Sequence, residues 1–405
     1  MTRAAPAALC FVLVAGVWGL LHVGWYAHGQ ITDYGVYETY GNDVVHGHLV
    51  PYRDFSVEYP PAALPVFVLP TMLARFDSRR VFQALMALCD LGLVLGVGAI
   101  AGRRAALLAA LAPLALGSVV LSRFDLWPAA LAVLALAALV RDRLALSALL
   151  IGTAFSAKLW PFVLVPIAVV WLVRTRGPRV AAGWLGGAAA TAAAWFLPFL
   201  VLSPGGVAHS FHVQLARPLQ LESLGGAILL AIHRVAGTTL QLTSSYGSQN
   251  LTGAGTHALA IVTTIAGVGA LVVVWSLFAR GPATTERLIV SSAAAVAALV
   301  AFGKVFSPQY MIWLIPFVVL VSGLRGVAAS ALLFAALVLT QTWFPSHYWN
   351  LAQRFAPTQV GELFARDLCV VALFVVIAWP GLQHEVLGEH RSRLEALQRV
   401  RTQVD

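Results

Sequence analysis

The chain alternates between apolar runs of membrane-spanning length and short polar intervals. The apolar runs cover residues 7–27, 61–74, 81–101, 105–121, 126–140, 144–157, 159–173, 180–202, 224–236, 257–279, 287–303, 309–322, 327–343 and 363–380. Apolar stretches of roughly 20 residues predict transmembrane helices. The runs 61–74 and 224–236 are short for a span, and prolines stand at each end of the first. We therefore predict a re-entrant or juxtamembrane helix at 61–74 and about twelve spans in all.

Composition supports an all-α polytopic membrane protein. Of the 405 residues, 60% are hydrophobic and only 11% are charged, whereas soluble domains carry about 25% charged residues. The mean hydropathy is +0.83. We predict a single transmembrane domain over 1–380, followed by a basic cytoplasmic tail over 381–405.

The net charge of +9 comes mostly from arginines in short connections, which suits cytoplasmic loops on anionic lipid better than nucleic-acid binding. The connections predicted to be cytoplasmic are Gly102–Arg104, Arg141–Arg143, Arg174–Arg179, Arg280–Arg287 and the one at Arg325. The intervals then predicted to be on the outer side are 28–61, 122–125, the junction at Lys158, 203–256, 304–309 and 344–361. The candidate functional residues therefore collect on one face. A phosphate-binding glycine loop is missing from the sequence, which argues against an ATP-driven pump.

The first outer interval, residues 28–61, is the most polar part of the chain. It holds five of the 17 acidic residues, interleaved with tyrosines. We predict a folded loop lying against the membrane that forms one wall of an active site. Its candidate acids are Asp33, Asp43 and Glu58, and its candidate substrate-binding residues are Tyr37, Tyr52 and Tyr59. The pair His46 and His48, with Asp43, lacks a diagnostic metal spacing. No cofactor is predicted, and a divalent metal is left open.

Charged residues also stand at the ends of predicted spans. SRFDLWP places Arg123 and Asp125 between two apolar runs, and AKLWP places Lys158 at a proline-flanked break. Charges at membrane depth are costly and usually face a cavity or a partner. A neutralised pair and a snorkelling lysine are the alternatives. The functional interpretation is a site for a phosphate group.

Two further outer segments combine polar and aromatic residues. GKVFSPQYMIWLIP contains Lys304, a second candidate lysine for phosphate, and Gln309 and Tyr310 at the head of a helix, where free N–H groups suit an anion. TWFPSHYWN contains His347 among aromatic residues, which could form a sugar platform. An interfacial aromatic belt is the alternative for both segments.

Taken together, these motifs resemble the GT-C superfamily of integral-membrane glycosyltransferases. More narrowly, they are similar to glycosyltransferase family 87, the polyprenyl-phosphate-mannose-dependent mannosyltransferases of actinobacteria. The segments that carry the resemblance, in chain order, are DYGVY at 33–37, GHLVPY at 47–52, EYPP at 58–61, SRFDLWP at 122–128, AKLWP at 157–161 and FSPQYMIWLIP at 306–316. Their order and spacing make the set specific, although each motif alone is weak.

The resemblance implies a GT-C fold in a bacterial inner membrane, with the active site on the extracytoplasmic side. It implies a polyprenyl-phosphate-linked donor, mannose as the sugar, and a glycolipid or glycan acceptor. Asp33 would be the general base, with Asp43 and Glu58 as substitutes, and the anomeric carbon would invert. Arg123, Lys158 and Lys304 would hold the donor phosphate. Asp125, Gln309, Tyr310 and His347 would contact substrate.

Other functions stay open at this point. Arabinofuranose is the alternative sugar, since relatives in the family transfer it. A transporter or flippase for a lipid-linked sugar is the alternative from another class, and it predicts charges near mid-span and a paired internal repeat. Here the charges lie at span ends and no repeat is visible, which favours the enzyme. A non-catalytic assembly partner is the third hypothesis.

Overall fold

The computed structural model describes residues 4–27, 31–73 and 76–379, and helices make up most of it. The helices are α1 Ala4–Leu21, α2 Tyr34–Val45, α3 Leu64–Met72, α4 Ser78–Ala101, α5 Arg103–Leu116, α6 Val119–Ser122, α7 Leu126–Val140, α8 Leu144–Ala157, α9 Val165–Arg176, α10 Pro178–Leu202, α11 Pro204–Ala216, α12 Leu224–Ala236, α13 Thr256–Arg280, α14 Thr285–Phe302, α15 Met311–Val318, α16 Gly323–Trp343, α17 Tyr348–Arg354 and α18 Pro357–Ala378. Short 3-10 helices cover Gly24–Ala27, Pro61–Ala63, Trp160–Leu164 and Pro308–Tyr310. The predicted tail, 381–405, lies outside the described residues.

Apolar helices confirm the predicted polytopic membrane protein. In the described part of the chain, five helices are long and apolar enough to cross a membrane: α4, α10, α13, α14 and α16. Other predicted spans form shorter helices. The 15-residue α7, for example, reaches about 22 Å at 1.5 Å per residue.

The run 61–74 forms a 3-10 turn followed by α3, which ends at Met72. Twelve helical residues reach about 18 Å, well short of the ~30 Å hydrocarbon core. The structure therefore supports the interpretation that this segment does not cross. Prolines begin both of its elements, where a missing N–H is tolerated.

Small residues allow close packing of the membrane helices. Gly152 of α8 lies so close to α10 that a Cβ atom there would meet the backbone oxygen of Ala188. Gly96 of α4 similarly faces Val133 and Leu134 of α7. Without a strong hydrophobic driving force in lipid, such close backbone approach is a main source of helix association.

The first outer loop is folded, as predicted. Helix α2 buries Tyr34, Tyr37 and Gly41 on one face, and this i, i+3, i+7 spacing is that of one helix stripe. The stripe packs on α3, where a Cβ at Gly41 would meet the backbone oxygen of Phe67. The first outer loop is therefore a folded segment packed on α3, not a solvated connection.

The interval 203–256 departs from an all-α fold, because it contains a β-hairpin that the sequence analysis did not predict. Strands β1 Leu240–Ser245 and β2 Ser248–Gly253 pair antiparallel. The turn residues Tyr246 and Gly247 have φ of 52° and 65°, as a two-residue type I′ turn requires. Tyr-Gly is not the usual Asn-Gly signal, and the polar, Ser/Thr-rich strands resemble loop sequence.

Candidate active site

A cavity of about 290 Å³ lies where the predicted outer segments converge. Its lining residues are Ile31, Asp33, Glu58, Tyr59, Arg123, Lys158, Gln214, Arg217, Gln220, Glu222, Ser244, Gly247, Ser248, Gln249, Ser307, Gln309, Tyr310, Phe344, Tyr348 and Trp349. In the described part of the chain these include three acidic and three basic side chains. Such a concentration of charge inside an apolar helix bundle marks a site for a charged, polar ligand.

Asp33 and Arg123 form an ion pair across the cavity. Asp33 is the residue before α2, and Arg123 follows α6 in an extended backbone conformation. The Arg123 side chain is buried, whereas that of Asp33 is 34% exposed. Burial lowers the pKa of Arg123 to about 10, and the Asp125 and Glu222 carboxylates oppose that shift. Its guanidinium stays charged at neutral pH, and its Nε has no hydrogen-bond partner.

Lys158 and Asp125 form a second, more deeply buried pair. The Lys158 ammonium lies 2.6 Å from Asp125 Oδ1, and the indole of Trp313 donates to the same oxygen at 2.7 Å. Four aromatic rings surround the ammonium, at 4.9 Å for Phe124 and 5.2 Å for Trp313. Burial lowers the pKa of Lys158, and Asp125 counteracts the shift. Rings and carboxylate together fix one cation at the cavity wall.

Glu58 and Arg217 form the third pair. Gln214 donates to the backbone oxygen of Glu58 at 3.1 Å, and the Ser210 hydroxyl donates to it at 3.3 Å. These bonds join α11 to the first outer loop. Arg217 also contacts the side chain of Tyr310.

Glu222 is the third acid of the lining, and its side chain is almost fully buried. The Tyr348 hydroxyl donates to its carboxylate, and Arg366 of α18 donates to its backbone oxygen at 2.7 Å. Burial raises the pKa of Glu222 to about 7, and Arg366, Tyr348 and Arg123 act against that shift.

Sequence comparison identifies the family. A model of glycosyltransferase family 87 matches residues 57–308, more than half of the chain. The chain belongs to glycosyltransferase family 87. The matched range includes Glu58, Arg123 and Lys158, whereas Asp33 precedes it.

Structural comparison shows a GT-C fold. The crystal structure of ArnT from Cupriavidus metallidurans bound to undecaprenyl phosphate superposes with a TM-score of 0.51. The match covers 96% of this chain and 79% of that chain at 16% sequence identity, so it shows the fold alone. A search of curated proteins finds no match.

This family 87 member brings seven of the predicted site residues to one cavity: Asp33, Glu58, Tyr59, Arg123, Lys158, Gln309 and Tyr310. Asp125 lies directly behind them as the partner of Lys158. These residues come from four separate predicted outer segments. Their roles in binding and catalysis stay predictions.

The other predicted residues lie outside the lining. Asp43 is at the far end of α2, about 15 Å along the helix from Asp33 at 1.5 Å per residue. Lys304 donates to the backbone oxygen of Leu215 at 2.7 Å. His347 is exposed, although Tyr348 and Trp349 beside it line the cavity.

Tyr37 and Tyr52 are buried in the first outer loop. Tyr37 is 1% exposed and stacks on Phe67 with ring centroids 4.5 Å apart. Tyr52 is buried, and its hydroxyl donates to the backbone oxygen of Tyr59 at 2.6 Å. Both side chains hold the first outer loop in shape, and neither lines the cavity.

Several lining residues were missed by the sequence analysis. They are Gln214, Arg217, Gln220, Glu222, Tyr348, Trp349 and the hairpin residues. Glu222 carried a usable signal, because an acid in ARPLQLES is rare in a chain with 17 acids. The hairpin residues carried no sequence signal that would have identified them.

The described residues show no cluster of side chains that would indicate a metal site. Within residues 4–27, 31–73 and 76–379, no group of three or more His, Cys, Asp or Glu side chains is arranged to hold an ion. His46 and His48 are exposed and lie outside the cavity lining. A divalent metal stays an untested option.

Proposed function

We propose that this protein transfers mannose from a polyprenyl-phosphate-linked donor to a glycolipid or glycan acceptor. Membership of glycosyltransferase family 87 supports the reaction class. The GT-C likeness to a protein crystallised with undecaprenyl phosphate supports a lipid-linked donor. The observation that carries the proposal is the convergence of Asp33, Arg123 and Lys158 on one cavity.

The cations suit the leaving group. When the bond between the anomeric carbon and the phosphate oxygen breaks, polyprenyl phosphate leaves with an additional negative charge. Fixed positive charge at that position stabilises the transition state more than the ground state. Arg123 offers a planar set of N–H donors and Lys158 a point charge. Lys158 is held by the buried Asp125, and the Arg123 side chain is itself buried, so little reorganisation is needed.

Asp33 is suited to act as the general base. The acceptor hydroxyl oxygen attacks the anomeric carbon from the face opposite the phosphate, and its proton passes to the Asp33 carboxylate. One C–O bond forms, one breaks, and the configuration inverts. Asp33 is the most exposed acid among the ion-paired lining residues, at 34%, so an acceptor can reach it. Glu58 is the second candidate because it also lines the cavity, whereas Asp43 does not.

The location of the charges favours an enzyme over a transporter. The charged lining residues stand in connections, at helix ends or, for Asp33, at a helix cap, not in the middle of the long apolar helices. A transporter would place them at broken helices near mid-membrane. We place the cavity on the extracytoplasmic side, because Asp125 and Arg141 cap the two ends of α7 and the arginine-rich connection lies at the end opposite the cavity.

The experiment uses membranes supplied with radiolabelled polyprenyl-phosphate-mannose. Asp33→Asn keeps the size of the side chain and removes its basicity, so product should nearly vanish at equal expression. Asp43→Asn is the matched control on the same loop and should keep wild-type activity. Full activity of Asp33→Asn would move the base to Glu58. If the wild type transfers no mannose, the assay is repeated with polyprenyl-phosphate-arabinofuranose. Transfer of neither sugar would refute the proposed glycosyltransferase activity.

A further inference from the structure

A short rigid segment, residues 219–223, forms one wall of the cavity. Its backbone is bonded on two sides. The N–H of Gln220 donates to the oxygen of Lys304 at 2.9 Å, and the N–H of Leu221 donates to the oxygen of Gln249 at 3.0 Å. The N–H of Leu251 in turn donates to the oxygen of Leu219 at 2.9 Å. This segment pairs with the hairpin through an antiparallel bridge between Gln220 and Asn250, so its backbone is held in place beside the cavity.

The Glu222 carboxylate on this wall is only partly satisfied. The side chain is 3% exposed and lines the cavity. Tyr348 donates to it, whereas its Oε2 is buried and has no hydrogen-bond partner. A buried carboxylate oxygen without a donor is costly. A rigid loop that keeps one such oxygen at a cavity wall points to a ligand that donates to it.

The free oxygen of Glu222 suits a hydroxyl donor better than a phosphate. The groups that face it are Tyr348 from α17, Arg366 and Asp367 from α18, and Arg123. Arg366 is already engaged, because its Nε lies 2.8 Å from Asp367 and its guanidinium stacks 3.8 Å from the Phe306 ring centre. Burial raises the pKa of Glu222 to about 7, and above that pH a phosphate would meet a carboxylate of like charge. A sugar hydroxyl is a donor that a carboxylate binds well.

We propose that Glu222 binds a hydroxyl group of the transferred sugar and so determines which sugar is accepted. This inference rests on the proposed function, because it assumes a sugar attached to a phosphate in the cavity. Arg123 connects the two acids, since it pairs with Asp33 and also interacts electrostatically with Glu222. Because Arg123 and Glu222 line the same cavity, we place the sugar of a donor whose phosphate binds Arg123 beside this carboxylate.

The test compares donors that each lack one sugar hydroxyl. We measure kcat/KM for polyprenyl-phosphate-mannose and its 2-, 3-, 4- and 6-deoxy forms, with wild type and Glu222→Gln. A site built to hydrogen-bond one hydroxyl should reject the analogue that lacks it by about 100-fold or more. In Glu222→Gln that single discrimination should shrink to about fivefold, because a neutral amide forms a weaker bond than a carboxylate. The other deoxy donors should behave alike in both proteins.

Two variants keep the test valid if Glu222→Gln folds poorly. Tyr348→Phe leaves the carboxylate and removes its orienting bond, so the same discrimination should weaken by about fivefold. Glu222→Asp keeps the charge and should retain a preference for the same hydroxyl. Glu286→Gln, an exposed residue of α14, is the matched control and should leave every ratio unchanged.

The outcomes separate cleanly. Equal discrimination by wild type and Glu222→Gln overturns the inference while the proposed function stands. A uniform loss of turnover with all donors and unchanged ratios also overturns it, since it assigns Glu222 a role in the chemistry instead. Wild-type protein that transfers no sugar from any lipid-linked donor refutes the proposed function, and this inference with it.

Discussion

The Lys158 ammonium lies 2.6 Å from the Asp125 carboxylate, and the two side chains are 14% and 0% exposed. They are 33 residues apart in sequence, Asp125 directly before α7 and Lys158 directly after α8, so the helix pair brings them together at its open end. Two sequence motifs that looked independent thus form one unit. Asp125 holds Lys158, and Lys158 in turn lines the cavity.

Breaking this pair should cost both stability and activity. Lys158→Met leaves the Asp125 carboxylate buried without its counter-ion, so the free energy of unfolding should fall by about 3–5 kcal/mol. Denaturant titration in detergent measures it. Lys304→Met is the matched control, because the chain has only these two lysines, and it should cost about 1 kcal/mol.

The double variant Lys158→Met with Asp125→Asn provides a further check. Removing both charges takes away the unpaired carboxylate, so most of the lost stability should return while transfer activity stays low. Additive losses in the double variant would show that the two side chains are not coupled.

Donor binding should depend on the cavity arginines and not on Lys304. Arg123→Gln removes a fixed cation from the site of the leaving phosphate, so kcat/KM for the lipid-linked donor should fall by about 100-fold or more. The kcat/KM of Arg217→Gln for this donor should also fall. The kcat/KM of Lys304→Gln should stay within about twofold of the wild-type value, as expected for a side chain outside the site. A large effect of Lys304→Gln would restore the phosphate role that the sequence predicted for it.

Stability should depend on pH through Glu222. Burial raises the pKa of this carboxyl from an ordinary 4.5 to about 7. Between these values the folded protein keeps a proton that the unfolded chain has released, so the free energy of unfolding decreases as the pH rises from 4.5 to 7 and then levels off. Melting temperatures of wild type and Glu222→Gln across this range measure the effect. The variant should show a flatter profile, and parallel profiles would contradict the assignment.

Tyr37 should prove structural. Its ring contacts Tyr59, Phe67, Phe82 and Phe124. Tyr37→Ala should therefore cost about 3–5 kcal/mol of unfolding free energy through the cavity it leaves. Tyr37→Phe keeps the packing, and its KM for acceptor should match the wild type. A raised KM with unchanged stability would instead support substrate contact.

Topology alone predicted much of the candidate site. Charge bias in the loops placed Asp33, Arg123 and Lys158 on the same face, and polar groups in an apolar bundle can be stable only where they meet a partner or a cavity. The sequence could not rank Asp33 against Asp43, because both belong to one loop. The helical rise of α2 separates them, and that helix is weakly amphipathic in sequence.

Three of the residues chosen for their type do not line the cavity. Tyr37, Tyr52 and Lys304 have side chains that often contact substrates, yet packing and backbone hydrogen bonds engage them here. Glu222 was missed because its position depends on the hairpin, which pairs residues far apart in the chain. Arg366 and Asp367 form a charged pair inside an apolar run, a pattern that predicts function in membranes and that points to the Glu222 wall.

The central claim is that the cavity transfers a sugar from a lipid phosphate by direct displacement. The most direct test is single-turnover transfer by purified protein with polyprenyl-phosphate-β-mannose, with both products quantified. We predict one polyprenyl phosphate released for each mannose transferred, and an α-linked product. Retention of the β configuration, or mannose transfer without release of polyprenyl phosphate, would contradict the account.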